Sequence, residues 1–524
     1  MDRKWWTLIA VSVAIFMLLL DITVVNVALP DIQRSLHSSF SDLQWVVNAY
    51  ALTLAAFLLT SGSVADLIGR RRVFVMGLVV FTASSAVCGL STTPLMLNLA
   101  RAVQGTGGAM MFATALALLA QAFHGKERGT AFGVFGAVTG GAVAIGPVLG
   151  GVITSGIGWE WIFFVNVPIG IVAVFLTLAR VTESRDPNAT GVDWPGLVTF
   201  SGSLFLLVYA LVQGNEKGWG STEIVSFLIG AVVLMILFVI VELRRRQPML
   251  DLSLFRRPAF SGASIVAFTL SASFFAMFLY LTLYIQDVLG YSPLQAGLRF
   301  LPSTLLSFIV APIAGRLSVR MPVRLLLGSG LLLIGIGLLS MTVIDAASSW
   351  TALIPGFVLA GAGVGLVNPP LASTAVGVVP IERSGMASGI NSTFRQVGIA
   401  TGIAGLGAVF QHSVTQNTTT ALISSGHARE IASTAHGRLA TLLESGEVNQ
   451  IARSLAPGAR TALEHSYRVG FTDAFTTIAA IAAVVALVGA ALAFVLVRAR
   501  DFVSAGELPP VAQEEPEPLV TTAS

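Results

Sequence analysis

The chain has 524 residues, 55% of them hydrophobic and only 11% charged, with a mean hydropathy of +0.82. A water-soluble globule of this length needs far more surface charge, so the composition excludes one and points to an integral membrane protein. The net charge of +3 comes from basic residues spread over short loops, a pattern that orients a chain in a bilayer and argues against nucleic acid as a partner.

Apolar stretches of about 17–25 residues, enough to cross the hydrocarbon as a helix, recur from end to end. Fourteen spans are predicted, at 8–28, 44–64, 73–91, 97–120, 131–154, 162–180, 195–213, 224–243, 260–286, 294–317, 323–344, 351–371, 386–410 and 471–497. An even number places both termini on one side. That side holds Arg3, Lys4, Arg70–Arg72, Lys126, Arg128, Arg244–Arg246 and Arg498, whereas the short loops opposite hold only Arg34 and Lys217. By the positive-inside rule the termini are expected in the cytoplasm, in a multi-pass protein of a bacterial-type inner membrane. The first run contains Asp21 and ends without a small-x-small cleavage site, so it is expected to be retained as a span.

Within span one, Asp21 lies roughly 10 Å from the outer end, with Asn26 following it. An intramembrane carboxyl is costly and marks a functional site by default, the alternative being a permanently neutral or paired acid. The loop after span two reads Gly62-x-x-x-Asp66-x-x-Gly69-Arg70-Arg71, an acid and basic residues between two glycines. Span four carries Arg101 and Gln104 at a depth close to that of Asp21, either as its partner or as a fixed packing device. Span five ends Gly146-Pro147-x-x-Gly150-Gly151, which leaves one face nearly without side chains for close backbone approach. Later come Asn391, Arg395 and Gln396 in span thirteen and Asp473 in span fourteen, which are candidate cavity residues.

A fainter copy of the first loop, Gly315-Arg316 to Arg320, suggests two related halves. These are expected at 1–190 and 251–500, joined by two additional spans at 191–250. Segment 411–470 is polar, with short amphipathic patterns such as 431–443, and by parity is extracytoplasmic. The tail 501–524, rich in Pro and Glu, reads as disordered. Cys88 is the only cysteine and lies in a span, so neither an intrachain disulfide nor a cysteine metal site is expected. No phosphate-binding Gly-Lys-Ser/Thr loop and no catalytic His or Ser arrangement appears, so the chain is expected to be no enzyme, to use no ATP and to hold no metal or other cofactor.

Gly62, Asp66, Gly69, Arg70 and Arg71 match the loop between the second and third helices of the major facilitator superfamily of transporters. Arg101-x-x-Gln104-Gly105 and the Gly-Pro-x-x-Gly-Gly ending resemble two further motifs of that superfamily, the second of which marks its exporters. Ala142 stands where that exporter motif has another Gly. The segments around Trp159 to Gly170, Tyr284 to Gly297 and Ala387 to Gly398 are similar to its fourteen-span drug/proton antiporters, except for Glu160 in place of the usual Arg. The resemblance implies an all-α membrane fold of two six-helix halves plus two central helices. It also implies export of amphipathic, cationic compounds in exchange for protons, with Asp21 coupling the two and the first loop acting as a cytoplasmic gate. The partners are then small amphipathic molecules, protons and lipid, with a monomer as the working unit. Two other readings stay open, a proton-coupled symporter on the same fold and an exporter of a lipid or secondary metabolite.

Overall fold

The computed structural model describes residues 2–501 except 124, 186–190, 246–247, 319, 380–383, 435–451, 453 and 499–500. The described residues form helices and no strands. This is the outcome that lipid imposes on a chain whose backbone groups must be satisfied within each segment. In chain order the spans are α1 Arg3–Leu36, α2 Phe40–Ile68, α3 Arg70–Gly89, α4 Pro94–Ala122, α5 Gly125–Gly156, α6 Trp161–Arg180, α7 Trp194–Lys217 and α8 Thr222–Arg244. They continue with α9 Pro258–Val288, α10 Pro293–Arg299 plus Leu301–Leu317, α11 Val323–Val343, α12 Trp350–Ala375, α13 Ser384–Ser424 and α14 Pro457–Leu496. Thirteen are long and apolar enough to cross a membrane as they stand, and α10 makes the fourteenth as a pair bent by 40°.

Local chemistry sets the boundaries. Ser39 and Asp42 close a capping box at α2, Ser292 and Gln295 do the same at α10, and Thr93, Asp193 and Ser221 cap α4, α7 and α8. Between α2 and α3 the chain turns at Gly69, whose φ of 120° an L side chain rarely adopts. The outward face of α8 exposes Ile229, Val232 and Ile236, as lipid contact requires.

Helices α1–α6 and α9–α14 form two halves; one buried cluster lies within the first, another runs through both, and the α7–α8 hairpin packs on α2 of one half and α13 of the other. The helices outrun the apolar stretches. α13 has 41 residues and α14 has 40, so both ends of the polar segment 411–470 are helical continuations. A short helix, Ala428–Thr434, joins them through Leu422, Ile431, Ala459 and Leu463. Most of the amphipathic stretch expected at 431–443, and all but Asp501 of the tail, fall outside the described residues.

The halves meet tightly on the side opposite the termini. A Cβ on Gly151 of α5 would stand 2.6 Å from the Pro293 carbonyl of α10, and one on Gly297 would stand 2.3 Å from the Pro147 carbonyl. Leu294 N also donates to Ser155 Oγ at 3.0 Å. Toward the termini α5 has no such neighbour: nothing lies within 4 Å of a Cβ at Gly133, Gly136 or Gly141, and Gly140 meets only Phe308, at 3.8 Å. Helices α5 and α10 therefore part toward the side of the termini.

Candidate transport site

Asp21 faces inward from α1 and Arg101 from α4, and both are almost fully buried, at 2% and 1% exposed. Arg101 Nη1 donates to Asp21 Oδ2 at 2.5 Å and to Gln104 Oε1 at 2.7 Å, one helical turn along. Gln104 Nε2 donates to Asp21 Oδ1 at 2.9 Å, and Asn166 Nδ2, near the start of α6, does so at 3.1 Å. Ser85 Oγ on α3 accepts from both amides and donates to the Phe163 carbonyl. The Asp21 carboxyl thus faces three donors from two helices, and each charge has its opposite.

The cation is held as firmly as the acid. Arg101 Nε donates to the Val46 carbonyl at 3.1 Å, and the guanidinium lies over the Tyr50 ring at 4.2 Å from its centroid. Such contacts favour a planar guanidinium over an ammonium. Close packing is purchased with glycine: a Cβ on Gly105 would fall 2.2 Å from Thr53 Oγ1 and 2.4 Å from the Tyr50 carbonyl, which would push α4 off α2. Two polar atoms beside the pair, Asn166 Oδ1 and Tyr50 Oη, are buried without a hydrogen-bond partner.

The Gly-Pro segment of α5 lies against this centre. Cβ atoms at Gly146 and Gly150 would meet Thr23 Oγ1 at 1.8 Å and the Val24 carbonyl at 2.9 Å, two and three residues beyond Asp21. Gly151 and Pro147, as described above, touch α10 of the other half. One short stretch of α5 therefore contacts both the helix that carries the acid and the closure between the halves.

Other expected residues lie elsewhere. Asn26 does not join the network. Five residues past Asp21 it is rotated about 140° around α1, and its amide donates to the Ile22 carbonyl instead. Asn391 donates to the Ala263 carbonyl and ties α13 to α9. Arg395 donates to Asn368 on α12, and Gln396 beside it is half-buried. Asp473 is exposed, unlike its neighbours Thr472, Ala474 and Phe475, and so is not enclosed in a cavity.

In the loop after α2, Asp66 pairs with Arg70, four residues on, through Nε and Nη2 at 2.9 Å. Glu183, after α6, takes the N-terminus of α3, accepting from Arg71 N at 2.9 Å and Arg72 N at 3.2 Å. The turn at Gly69 directs those N–H groups toward Glu183, whose carboxyl lies 2.6–2.8 Å from where a Gly69 Cβ would stand. Arg71 Nη1 adds a bond to the Val181 carbonyl. All these partners belong to the first half, and nothing lies within 4 Å of a Cβ at Gly62. Sequence reading missed Glu183, Asn166, Ser85 and Tyr50. For Asn166 a signal existed, a polar amide opening an apolar span; Glu183, 112 residues from Arg71, has only its negative charge.

A family model for the Major Facilitator Superfamily matches residues 11–403. The chain is 40% identical over 404 residues to the multidrug resistance protein Stp of Mycobacterium tuberculosis, covering 77% of this chain and 75% of that protein. It is 35% identical over 413 residues to the tetracenomycin C resistance and export protein of Streptomyces glaucescens, covering 79% and 77%. In fold it resembles a bacterial homologue of the human lysosomal transporter Spinster, solved in an inward-facing and occupied conformation, with a TM-score of 0.61 over 96% of this chain and 99% of that one at 17% identity. The chain, helical in its described spans and with a buried Asp–Arg pair in the first of its two halves, belongs to the Major Facilitator Superfamily of transporters.

Proposed function

We propose that the protein is a monomeric exporter of amphipathic, cationic organic compounds, driven by protons moving the opposite way, with both termini in the cytoplasm. The observation that carries this reading is the buried Asp21–Arg101 pair, placed where α5 joins α1 to the closure between the halves. The names of the relatives, resistance and export proteins, support the direction of transport.

In this reading the structure is the state open to the cytoplasm. Asp21 is engaged by Arg101 and by two amides, so a cationic substrate reaches it by displacing Arg101 rather than by filling an open site. The displaced guanidinium keeps its aromatic support at Tyr50. After the halves rock, a proton from outside neutralises Asp21, the cation loses its counter-charge and leaves, and the proton is released inside when Arg101 pairs with the acid again. One proton taken in for one monocation sent out moves no net charge, so the pH difference drives the cycle, at about 1.4 kcal/mol per tenfold proton ratio. The orphaned Asn166 Oδ1 and Tyr50 Oη supply acceptors beside Asp21 that would hold a water delivering the proton. In the opposite state the Asp66–Arg70 loop holds the cytoplasmic side closed.

Everted membrane vesicles test the reading. Added substrate must accumulate inside them and dissipate a preformed proton gradient; accumulation that requires the opposite gradient would establish symport. With Asp21 the one acid at the transport site among the described residues, matched monocations should be exported better than dications, because the second charge would remain uncompensated in a low-dielectric site. Equal export of neutral analogues would favour an exporter of a lipid or secondary metabolite whose selectivity does not require positive charge.

A further inference from the structure

The two helices that link the halves carry an acid pair that the transport site does not use. Asp193 caps α7 and Glu242 lies in the last turn of α8, at 6% and 4% exposed. Asp193 Oδ1 accepts from Gly196 N at 3.0 Å, and Oδ2 accepts from Met249 N at 3.4 Å. Glu242 Oε2 accepts from Leu250 N at 3.1 Å. The strap that leads from the hairpin into α9 is therefore held by two carboxyl groups on adjacent backbone donors.

Three of the four carboxyl oxygens are accounted for. The fourth, Glu242 Oε1, is buried without a hydrogen-bond partner. Gly196 shows where it points: the position of a Cβ there lies 2.8 Å from Glu242 Oε1 and 2.7 Å from Asp193 Oδ2, which puts the two oxygens at most about 5.5 Å apart. The gap above Gly196 is open only because that residue has no side chain. Among the described residues, the charged groups acting on the pair are Arg245, whose Nε stands 3.5 Å from Asp193 Oδ1, and Asp251 on the strap.

Two ionised carboxylates this close, away from water and with one half-exposed arginine beside them, repel each other. A single proton removes the repulsion and turns the orphaned acceptor into a donor. We propose that Asp193 and Glu242 form a proton-binding site, in which Glu242 Oε1 carries the proton and directs it at Asp193 Oδ2. The site lies at the end of the hairpin nearer the termini and apart from Asp21. Its proton acts on the strap, which is tied to both halves: Thr60 Oγ1 of α2 donates to Met249 Sδ at 3.3 Å, and Arg257 donates to the Val378 carbonyl beyond α12. Occupancy of the site sets how firmly the hairpin holds the two halves together on that side.

Infrared difference spectroscopy on the full chain in lipid nanodiscs, stepped from acid to mildly alkaline pH, reads the proton directly. The carbonyl stretch of a buried protonated carboxyl, shifted by deuterium exchange, should appear in the wild type. It should remain in Asp21→Asn, which separates it from the transport site, and be lost in Glu242→Gln, which keeps the shape and the acceptor for Leu250 N. Asp193→Asn should move the band without removing it. Labelling all glutamates with carbon-13 should shift the band in the unmutated protein, an arm that no folding defect can obscure. A band insensitive to that label, undiminished in Glu242→Gln, or unmoved in Asp193→Asn overturns the proposal.

Discussion

The two halves share a helical plan but not its chemistry. In the first, α1, α3, α4 and α6 close around a carboxylate and a guanidinium with each hydrogen-bonded to several partners. In the second, the centre is aromatic: Tyr284 stacks on Phe475 at 5.1 Å between centroids and Phe278 on Phe300 at 5.0 Å. Its one half-buried arginine of note, Arg395, bonds a neutral asparagine, and the acids Asp287, Asp345 and Asp473 are exposed. Among the described residues, a fully buried ion pair thus occurs in the first half and not in the second, on a helical plan that both share. A charge whose partner is another charge can be traded; one whose partner is an amide serves position.

Deleting each arginine in turn should separate the two halves most sharply. Arg101→Ala leaves Asp21 buried and unpaired, a loss of about 3–5 kcal/mol, and should abolish transport. Arg395→Ala removes only a bond to Asn368 and should retain transport, with a smaller drop in thermal stability measured in detergent. Equal losses would mean that the halves do not differ as described.

Closure between the halves comes next. Gly146→Val would drive a side chain into Thr23, beside the acid, and overpacking of this kind costs about 1–3 kcal/mol. Distance measurements between spin labels on α5 and α10 should report loosening on the side opposite the termini, with transport lost although the chain still folds. An unchanged distance distribution would remove α5 from the closure.

Arg101→Lys keeps the charge but gives up the planar fork that reaches Asp21, Gln104 and Val46 together. Its signature is a displaced pH profile of export with expression near normal. A uniform fall in rate at every pH would reduce Arg101 to packing.

The smallest effect is expected at the loop after α2. The Asp66–Arg70 pair is partly exposed, and such pairs contribute about 0.3–0.5 kcal/mol to stability. Asp66→Asn should therefore leave folding and substrate binding nearly intact while slowing turnover, measured as export rate against equilibrium binding. Wild-type rates would leave the loop with topology alone.

What the sequence made legible follows from physical range. Thirteen spans were visible because lipid demands continuous apolar helices, and the bent α10 was visible as a fourteenth because its two pieces are apolar across the break. Asp21 and Arg101 could be placed at one depth because helical rise converts residue count into distance. Their remaining partners could not. Ser85 and Asn166 come from α3 and α6, and only the packing of those helices brings them to Asp21. The same limit hid Glu183, whose role depends on a turn at Gly69 far away in sequence. Asn26 shows the converse error, since nearness along α1 suggested a shared site that rotation around the helix forbids.

Whether protons drive export through Asp21 is decided in proteoliposomes by comparing gradient-driven export with gradient-free exchange in Asp21→Asn. Asparagine preserves the shape and accepts from Gln104 and Asn166 but cannot carry the exchangeable charge. Proton-driven accumulation should be abolished, and gradient-free exchange of cationic substrate, deprived of its counter-charge, should fall with it. Full gradient-driven accumulation in Asp21→Asn, with its pH dependence intact, would contradict this role for Asp21.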